Sequence, residues 1–418
     1  MHGQGERWLA EHRSLTRRWI LKAGAAGAAA LGTWPLAAED AGRAKVLEEA
    51  IDRLESYFTL QNDFRDVSRG KPKPHSLPED QRRKVGLTRA TWKLEITVDP
   101  ENRSRVSNEL TKAKGTALDF QGLMQLGQKH AVRFPKVMTC LNIGCPLGMG
   151  IWEGVPLREV LWLAGPREDL RRVFYYGFHN DDPKQMFRSS LPVGRILEDL
   201  YNLPPVILCY KLNGEWLTPE RGGPVRIVVP EAYGFKSIKW LTNVVLSNLA
   251  SANDTYIGGN NDVDSPLKSF AATLGVPTEV NPNTPFAVTG YAQVGVSGLS
   301  KVQVFIHNEA DELPKNDRYF LTAPWRDAEI LSPPQQWGGG LADDRIPPHT
   351  IGFNDQTPKS WPLKLAKVHW AILHPGLPAG EYTLRSRTVD AKGIGQPLPR
   401  PFRKAGHSAI ERVSLTVA

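Results

Sequence analysis

Apolar and polar positions follow two different patterns along the chain. Up to about residue 274, runs of helical spacing mix with runs that alternate. Over residues 40–56, DAGRAKVLEEAIDRLES, the residues Val46, Ile51 and Leu54 recur at helix spacing with charges between them, which predicts an amphipathic helix. TALDFQGLMQLGQ predicts a second helix, opened by Asp119 or a nearby cap, and IWEGVPLREVLWLAG a turn and then a helix that Gly165 ends. TWKLEITVDP, from Thr91, alternates as a strand does and stops at Pro100. PPVILCYKL, GPVRIVVP and SIKWLTNVVL are β-rich as well.

The pattern changes after the Pro- and Asn-rich stretch GVPTEVNPNTP, residues 275–285. FAVTGYAQVG, KVQVFIHN, KVHWAILHP and EYTLRSRTVDAKG are short alternating strands separated by turns, the pattern of a β-sandwich. No internal repeat is visible. A chain of 418 residues is too long for one core, so an α+β organisation in two domains is expected, 39–274 and 275–418. The 12 Trp, 33 Pro and 37 Gly fit a loop-rich globular protein and not a disordered one.

Residues 1–38 read differently from both. A basic head precedes the small-residue run from Ala23 to Leu31, which is too short and too weakly apolar to span a membrane. Thr16-Arg17-Arg18-Trp19-Ile20-Leu21-Lys22 resembles the twin-arginine signal, whose pathway carries folded proteins, with cleavage expected after Ala37 or Ala38. A periplasmic protein exported with a bulky cofactor already inserted is the expectation. The signal holds five basic and two acidic residues, so +5 of the net +8 stays with the remainder. That charge is spread without a Lys/Arg block, which argues against nucleic-acid binding.

VMTCLNIGCPLG holds two of the three cysteines, Cys140 and Cys145. An odd number leaves at least one thiol unpaired, and this is not a disulfide framework. Cys209, in a strand-like apolar run, reads as a plain buried thiol. For the other two, a disulfide is possible, a zinc site lacks close partners, and ligation of a soft metal through one sulfur is the better fit.

VMTCLNIGCP, WEGVPLREVL, LNGEWLTPERGGPVRIVVPEAYGFKSIKWL and SRTVDAKGIGQP, in that order and spacing, resemble the sulfite oxidase superfamily of molybdopterin-dependent oxidoreductases. The resemblance implies a mixed α/β molybdopterin-binding domain followed by an immunoglobulin-like β-sandwich of the kind that dimerises these enzymes. It implies a molybdenum–pterin cofactor with Cys140 as the metal ligand and Cys145 as a bystander. A pterin phosphate needs guanidinium and ammonium charge. The resemblance assigns Arg226 of RGGPVR, and Lys236, Ser237, Ile238 and Lys239 of the following turn, to the pterin and its phosphate. Arg221 joins them as a pterin contact, at a position where relatives commonly show His or Asn. Asn62, Phe64, Arg65 and Asp66 of LQNDFRD resemble the cofactor-pocket run of the methionine-sulfoxide reductase catalytic subunit. Gly177 or Phe178 of YYGFHNDDPKQM stands near a further contact by the same comparison.

The sequence departs from sulfite oxidases at the substrate. Their paired arginines are not evident in LQNDFRD or in NDTYIGGNN, so sulfite is expected to bind weakly and a neutral sulfoxide more readily, in a pocket of Asn62, Phe64 and Tyr256. Arg65, Arg69 or Arg188 would have to supply charge from elsewhere. Tyr256, the tyrosine of the later segment, is taken with Cys140 and Arg65 as catalytic, although Asn260 falls nearer the family's tyrosine. The histidines, His179 and His307 included, are assigned no chemical role. No C-x-x-C-H haem motif occurs, so electrons are expected to pass to a separate carrier such as a periplasmic cytochrome. Oxygen-atom transfer to or from a small sulfur compound is the expected activity, with a sulfoxide reductase second. A cofactor-free binding protein on the same fold is the non-enzymatic alternative.

Overall fold

The computed structural model describes residues 39–143, 145–199, 202–264, 266–397, 399–406 and 408–418. The export signal expected over residues 1–38 lies outside them.

Two five-stranded sheets form the first region. In one, β1 (Lys93–Val98) runs parallel to β10 (Leu241–Ser247), and the order is β2-β1-β10-β5-β6, with β2 (Leu118–Asp119), β5 (Arg172–Gly177) and β6 (Arg188–Pro192). The alternation read from TWKLEITVDP is realised: Leu94 and Ile96 are fully buried while Lys93 is exposed. In the other, β3 (Val132–Thr139) and β4 (Pro146–Pro156) form a hairpin that continues through β7 (Ile207–Leu212) to β8 (Glu215–Trp216), with β9 (Arg226–Val228) also on β7. Cys140 and Cys145 both lie in the tip of that hairpin, between β3 and β4.

The helices are short. α1 (Glu39–Asp52) covers the expected amphipathic run and packs on the C-terminal sheet; α2 is Glu79–Lys84. α3 (Phe120–His130) is capped by Asp119, whose carboxylate accepts the Gly122 N–H at 2.8 Å, as its sequence implied. Two expectations are corrected. The turn expected at the start of IWEGVPLREVLWLAG is strand, β4 running to Pro156, while the helix expected after it is present as α4 (Leu157–Leu161) with a 3-10 turn to Ala164, ended by Gly165 as the sequence implied. Burial of Trp152 and Val155 between neighbouring strands outweighs any turn tendency there. Likewise SIKWLTNVVL becomes strand only at Leu241, since Trp240 has a left-handed backbone (φ 53°). α5 (Val193–Leu197) completes this region.

The C-terminal strands are β11 (Phe270–Gly275), β12 (Glu279–Val280), β13 (Phe286–Gln293), β14 (Lys301–Asn308), β15 (Arg326–Ile330), β18 (Lys367–His374), β19 (Gly380–Val389) and β20 (Val413–Val417). β16 (Phe353–Asn354) and β17 (Thr357–Pro358) make a small separate hairpin. The order is β11-β13-β18-β15-β14-β19-β20-β12, and β15 pairs with both β14 and β18. Val288, Trp370, Val302, Leu384 and Leu415, from both sides of β15, share one core, so the strands fold over as two facing layers. β11 already belongs to this sheet, ahead of the Pro-rich stretch at 275–285.

Candidate active site

A cleft opens at the end of the β3–β4 hairpin. Four segments meet there: residues 64–69, the hairpin tip with Cys140, the turn 234–240, and the loop that carries Tyr256. Phe64, Met138, Leu147, Trp152 and Phe187 give it an apolar wall. Gly148, at φ +156°, makes room for that wall, because a side-chain carbon there would stand 2.5 Å from the Phe64 ring. None of the three cysteines forms a disulfide. Cys140, directly after β3, opens on the cleft; Cys145 accepts a bond from Arg65 Nη1 at 3.0 Å. Cys209 is fully buried, its thiol pushed up to about 12 by that burial, as its apolar run implied.

One end of the cleft is strongly cationic. Arg226 donates to the Arg221 carbonyl at 2.9 Å and the Ser237 carbonyl at 2.6 Å, and burial lowers its pKa to about 10. Arg221 pairs with Glu220 and lies over the Phe64 ring. Both guanidinium Nε atoms are buried without an acceptor. Lys239 reaches the same end, donating to Asp66 Oδ1 at 3.1 Å and Ser68 Oγ at 2.7 Å. Burial, followed by the charge of Arg226, brings its pKa down to about 7 despite Asp66. Gly222, at φ +97°, lets the RGGPVR backbone close on this lysine: a side-chain carbon would sit 2.8 Å from Lys239 Cβ. Buried N–H donors without acceptors, amid crowded positive charge, are suited to an anion.

The predicted residues divide. Phe64, Arg65, Cys140, Arg221, Arg226, Ser237, Ile238, Lys239 and Tyr256 line the cleft together. The Tyr256 hydroxyl accepts from Asn142 Nδ2 at 3.2 Å, and its ring meets Phe187 edge-on. Lys236 does not line it. Its ammonium is buried on Asp254, 2.7 Å away, and on the Ser190 carbonyl at 2.8 Å. The 3-10 turn Gly234–Lys236 turns this lysine inward while Lys239 turns to the cleft. Asn62 is exposed on the 3-10 turn Gln61–Asp63, outside the cleft. Asp66 acts behind it. Burial pushes its carboxyl up, but bonds from Lys73 and Ser68 and the charge of Lys239 prevail, holding it below the usual carboxylate range. Of the three arginines named as alternative charges, Arg65 and Arg69 line the cleft, whereas Arg188 binds the Asn253 carbonyl elsewhere. Asn260 is bonded to the Pro401 carbonyl and does not line it.

His179 was missed. It lines the cleft, nearly buried, with Nδ1 2.9 Å from the Gly177 carbonyl, and burial lowers its pKa. A carbonyl only accepts, so Nδ1 carries the proton. It lies just past the end of β5, and no local sequence pattern marks it.

Residues 85–255 match the family described as the oxidoreductase molybdopterin binding domain. The chain is 30% identical to mitochondrial sulfite oxidase of Drosophila melanogaster over 209 residues, covering 49% of this chain and 34% of that one. It is 37% identical to sulfite oxidase of Gallus gallus over 99 residues, 23% of this chain and 21% of that one. It is 31% identical to an NADH nitrate reductase of Volvox carteri over 115 residues, 26% of this chain and 13% of that one. The matches thus span from 13% to 34% of the length of these curated relatives. The sulfane dehydrogenase SoxCD from Paracoccus pantotrophus shares the fold, with a TM-score of 0.54 at 18% identity over 79% of each chain.

Proposed function

From the premise that this chain belongs to the sulfite oxidase superfamily of molybdopterin-dependent oxidoreductases, we propose that it transfers an oxygen atom to or from a small anionic sulfur compound, sulfite first. The observation that carries this reading is that Cys140 and the guanidinium-bearing residues Arg65 and Arg69 line one cleft. When bound, the molybdenum–pterin group supplies two-electron oxygen-atom chemistry. Cys140 would hold its metal through sulfur, and Arg221, Arg226 and Lys239 would hold its phosphate. The unpartnered Nε atoms of the two arginines fit that group. Arg65 and Arg69 would orient the substrate anion, and Tyr256 would bound the space where it reacts.

Sulfite-dependent reduction of cytochrome c by the molybdenum-loaded protein, with sulfate as competitor, tests the reading. Tight, sulfate-sensitive turnover supports it and revises the expectation of weak sulfite binding. Turnover of a neutral sulfoxide alone would shift the assignment to a sulfoxide reductase, which the apolar wall of Phe64, Met138 and Trp152 favours as second reading.

Three further proposals rest on the sequence. The C-terminal strands are an immunoglobulin-like domain that forms a homodimer, although fold alone does not determine assembly. Electrons leave to a separate carrier such as a periplasmic cytochrome. The protein is exported folded by the twin-arginine route, and replacing Arg17 and Arg18 with Lys should strand a folded precursor in the cytoplasm. Normal periplasmic yield of that variant would refute the route. Among the described residues no helix is long and apolar enough to cross a membrane.

A further inference from the structure

The loop that brings Tyr256 to the cleft is anchored at both ends. At its start, Asp254 is buried on Lys236, Ser189 and Ser190. At its other end the partner comes from far along the chain. Residues 400–406, between β19 and β20, leave the C-terminal sheet and run beside residues 260–262. Asp262 N donates to the Lys404 carbonyl at 2.8 Å, and Arg403 N donates to the Asn260 carbonyl at 3.1 Å. Arg400 Nη1 donates to Asp262 Oδ2 at 3.0 Å, and Asn260 Nδ2 to the Pro401 carbonyl at 3.1 Å. Lys404 Nζ lies 5.5 Å from the centre of the Tyr256 ring, within cation–π range. The ring is thus held by Phe187 and Phe235 on its apolar contacts, by Asn142 at its hydroxyl, and by an ammonium from the C-terminal segment.

We infer that segment 400–406 is a positioning element of the active site, acting on Tyr256 through the Arg400–Asp262 pair and through Lys404. Residues 255–261 have no helix or strand of their own, so contacts with other segments must offset the conformational entropy of fixing them. Two backbone bonds and an ion pair from residues 400–404 supply this at the Asp262 end. Neither Arg400 nor Lys404 lines the cleft, so both act through Tyr256 and not on the reacting atoms. The connection between β19 and β20 therefore contributes to substrate binding as well as to architecture. This inference rests on the reading of the cleft as the substrate site.

The test uses Arg400→Asp, Asp262→Arg, the combined swap, and Arg400→Lys, in the full chain. Hydrogen exchange over residues 255–262 is measured on each, with KM and kcat for sulfite and the sulfate dissociation constant from absorption titration of the loaded enzyme. Each charge-reversed single variant should exchange about fivefold faster and bind sulfate about fivefold more weakly, the upper end of the range for a partly screened pair. KM should rise with kcat nearly unchanged, and either the combined swap or Arg400→Lys should recover both. Faster exchange with unchanged sulfate binding would overturn the inference, because the segment would then brace the fold only. Unchanged exchange would overturn it too. If the unaltered protein does not turn over sulfite, the substrate reading fails on that result, while exchange and sulfate titration still decide the role of the segment.

Discussion

Lys239 and Asp66 meet at 3.1 Å, and their contact ties the turn after RGGPVR to the residues 64–69 that form the opposite wall of the cleft. The lysine is held with Arg221 and Arg226 beside it, and burial lowers its pKa to about 7. A base depressed on folding binds fewer protons folded than unfolded between about 7 and its ordinary value, so its charge weakens the cofactor-free fold below that window. Lys239→Met should therefore melt higher than the unaltered cofactor-free protein at pH 6, with the difference shrinking towards pH 10. The same variant should retain ~10–100-fold less molybdenum-pterin, given roughly 1.5–3 kcal/mol for a charge-assisted bond. Scanning calorimetry and metal analysis check the two halves. A lower melting temperature at pH 6 would refute the first.

Much of this end was legible in the sequence, and the reason is local. RGGPVR places Arg221 and Arg226 around two glycines, and the close approach to Lys239 needs the conformational freedom of Gly222. Asp119 capped α3 as expected because a cap involves only its own helix. What was not legible depended on direction or on distance along the chain. Lys236 and Lys239 look equivalent as letters, yet one 3-10 turn sends the first to Asp254 and the second to the cleft. His179 enters the cleft only because segments distant in sequence converge there, and no local pattern marks it.

The two hairpin cysteines should behave differently. Cys140→Ser should lose the thiolate-to-metal absorption and most of the bound molybdenum, a hydroxyl being a harder and poorer donor than sulfur. Cys145→Ser should keep the absorption, since its sulfur is engaged by Arg65. The opposite result from the pair would reassign the ligand.

Arg69 lies with its guanidinium 5.3 Å from the centre of the Phe187 ring and is exposed enough to meet an incoming anion. Arg69→Met keeps the stem over that ring and removes the charge. KM for sulfite should rise about tenfold with kcat within a few-fold, the loss of one charge-assisted contact discounted for exposure. Equal falls in kcat and kcat/KM would indicate a role in the chemical step instead. Sulfoxide turnover, if present, should be unchanged by the variant.

His369 gives the acid side of the stability profile. It lies on β18, 3% exposed, its ring 4.4 Å from that of Tyr57, so it sits where the N-terminal segment meets the C-terminal sheet. Its Nε2 is buried without a partner. Burial, then the charge of Lys367, lowers its pKa to about 3. The folded protein thus keeps the ring neutral while the unfolded chain protonates it near 6.5. Between these values the unfolded state binds more protons, so the stability is present above the unfolded value and is lost as pH falls, by roughly 1.4 kcal/mol per pH unit for one such group. His369→Gln removes the titration while keeping a polar side chain of similar reach. Urea midpoints between pH 7 and pH 4.5 should fall steeply for the unaltered protein and distinctly less for the variant. Parallel slopes for the two proteins would show that other groups set the acid limit and that His369 does not act as the buried base described.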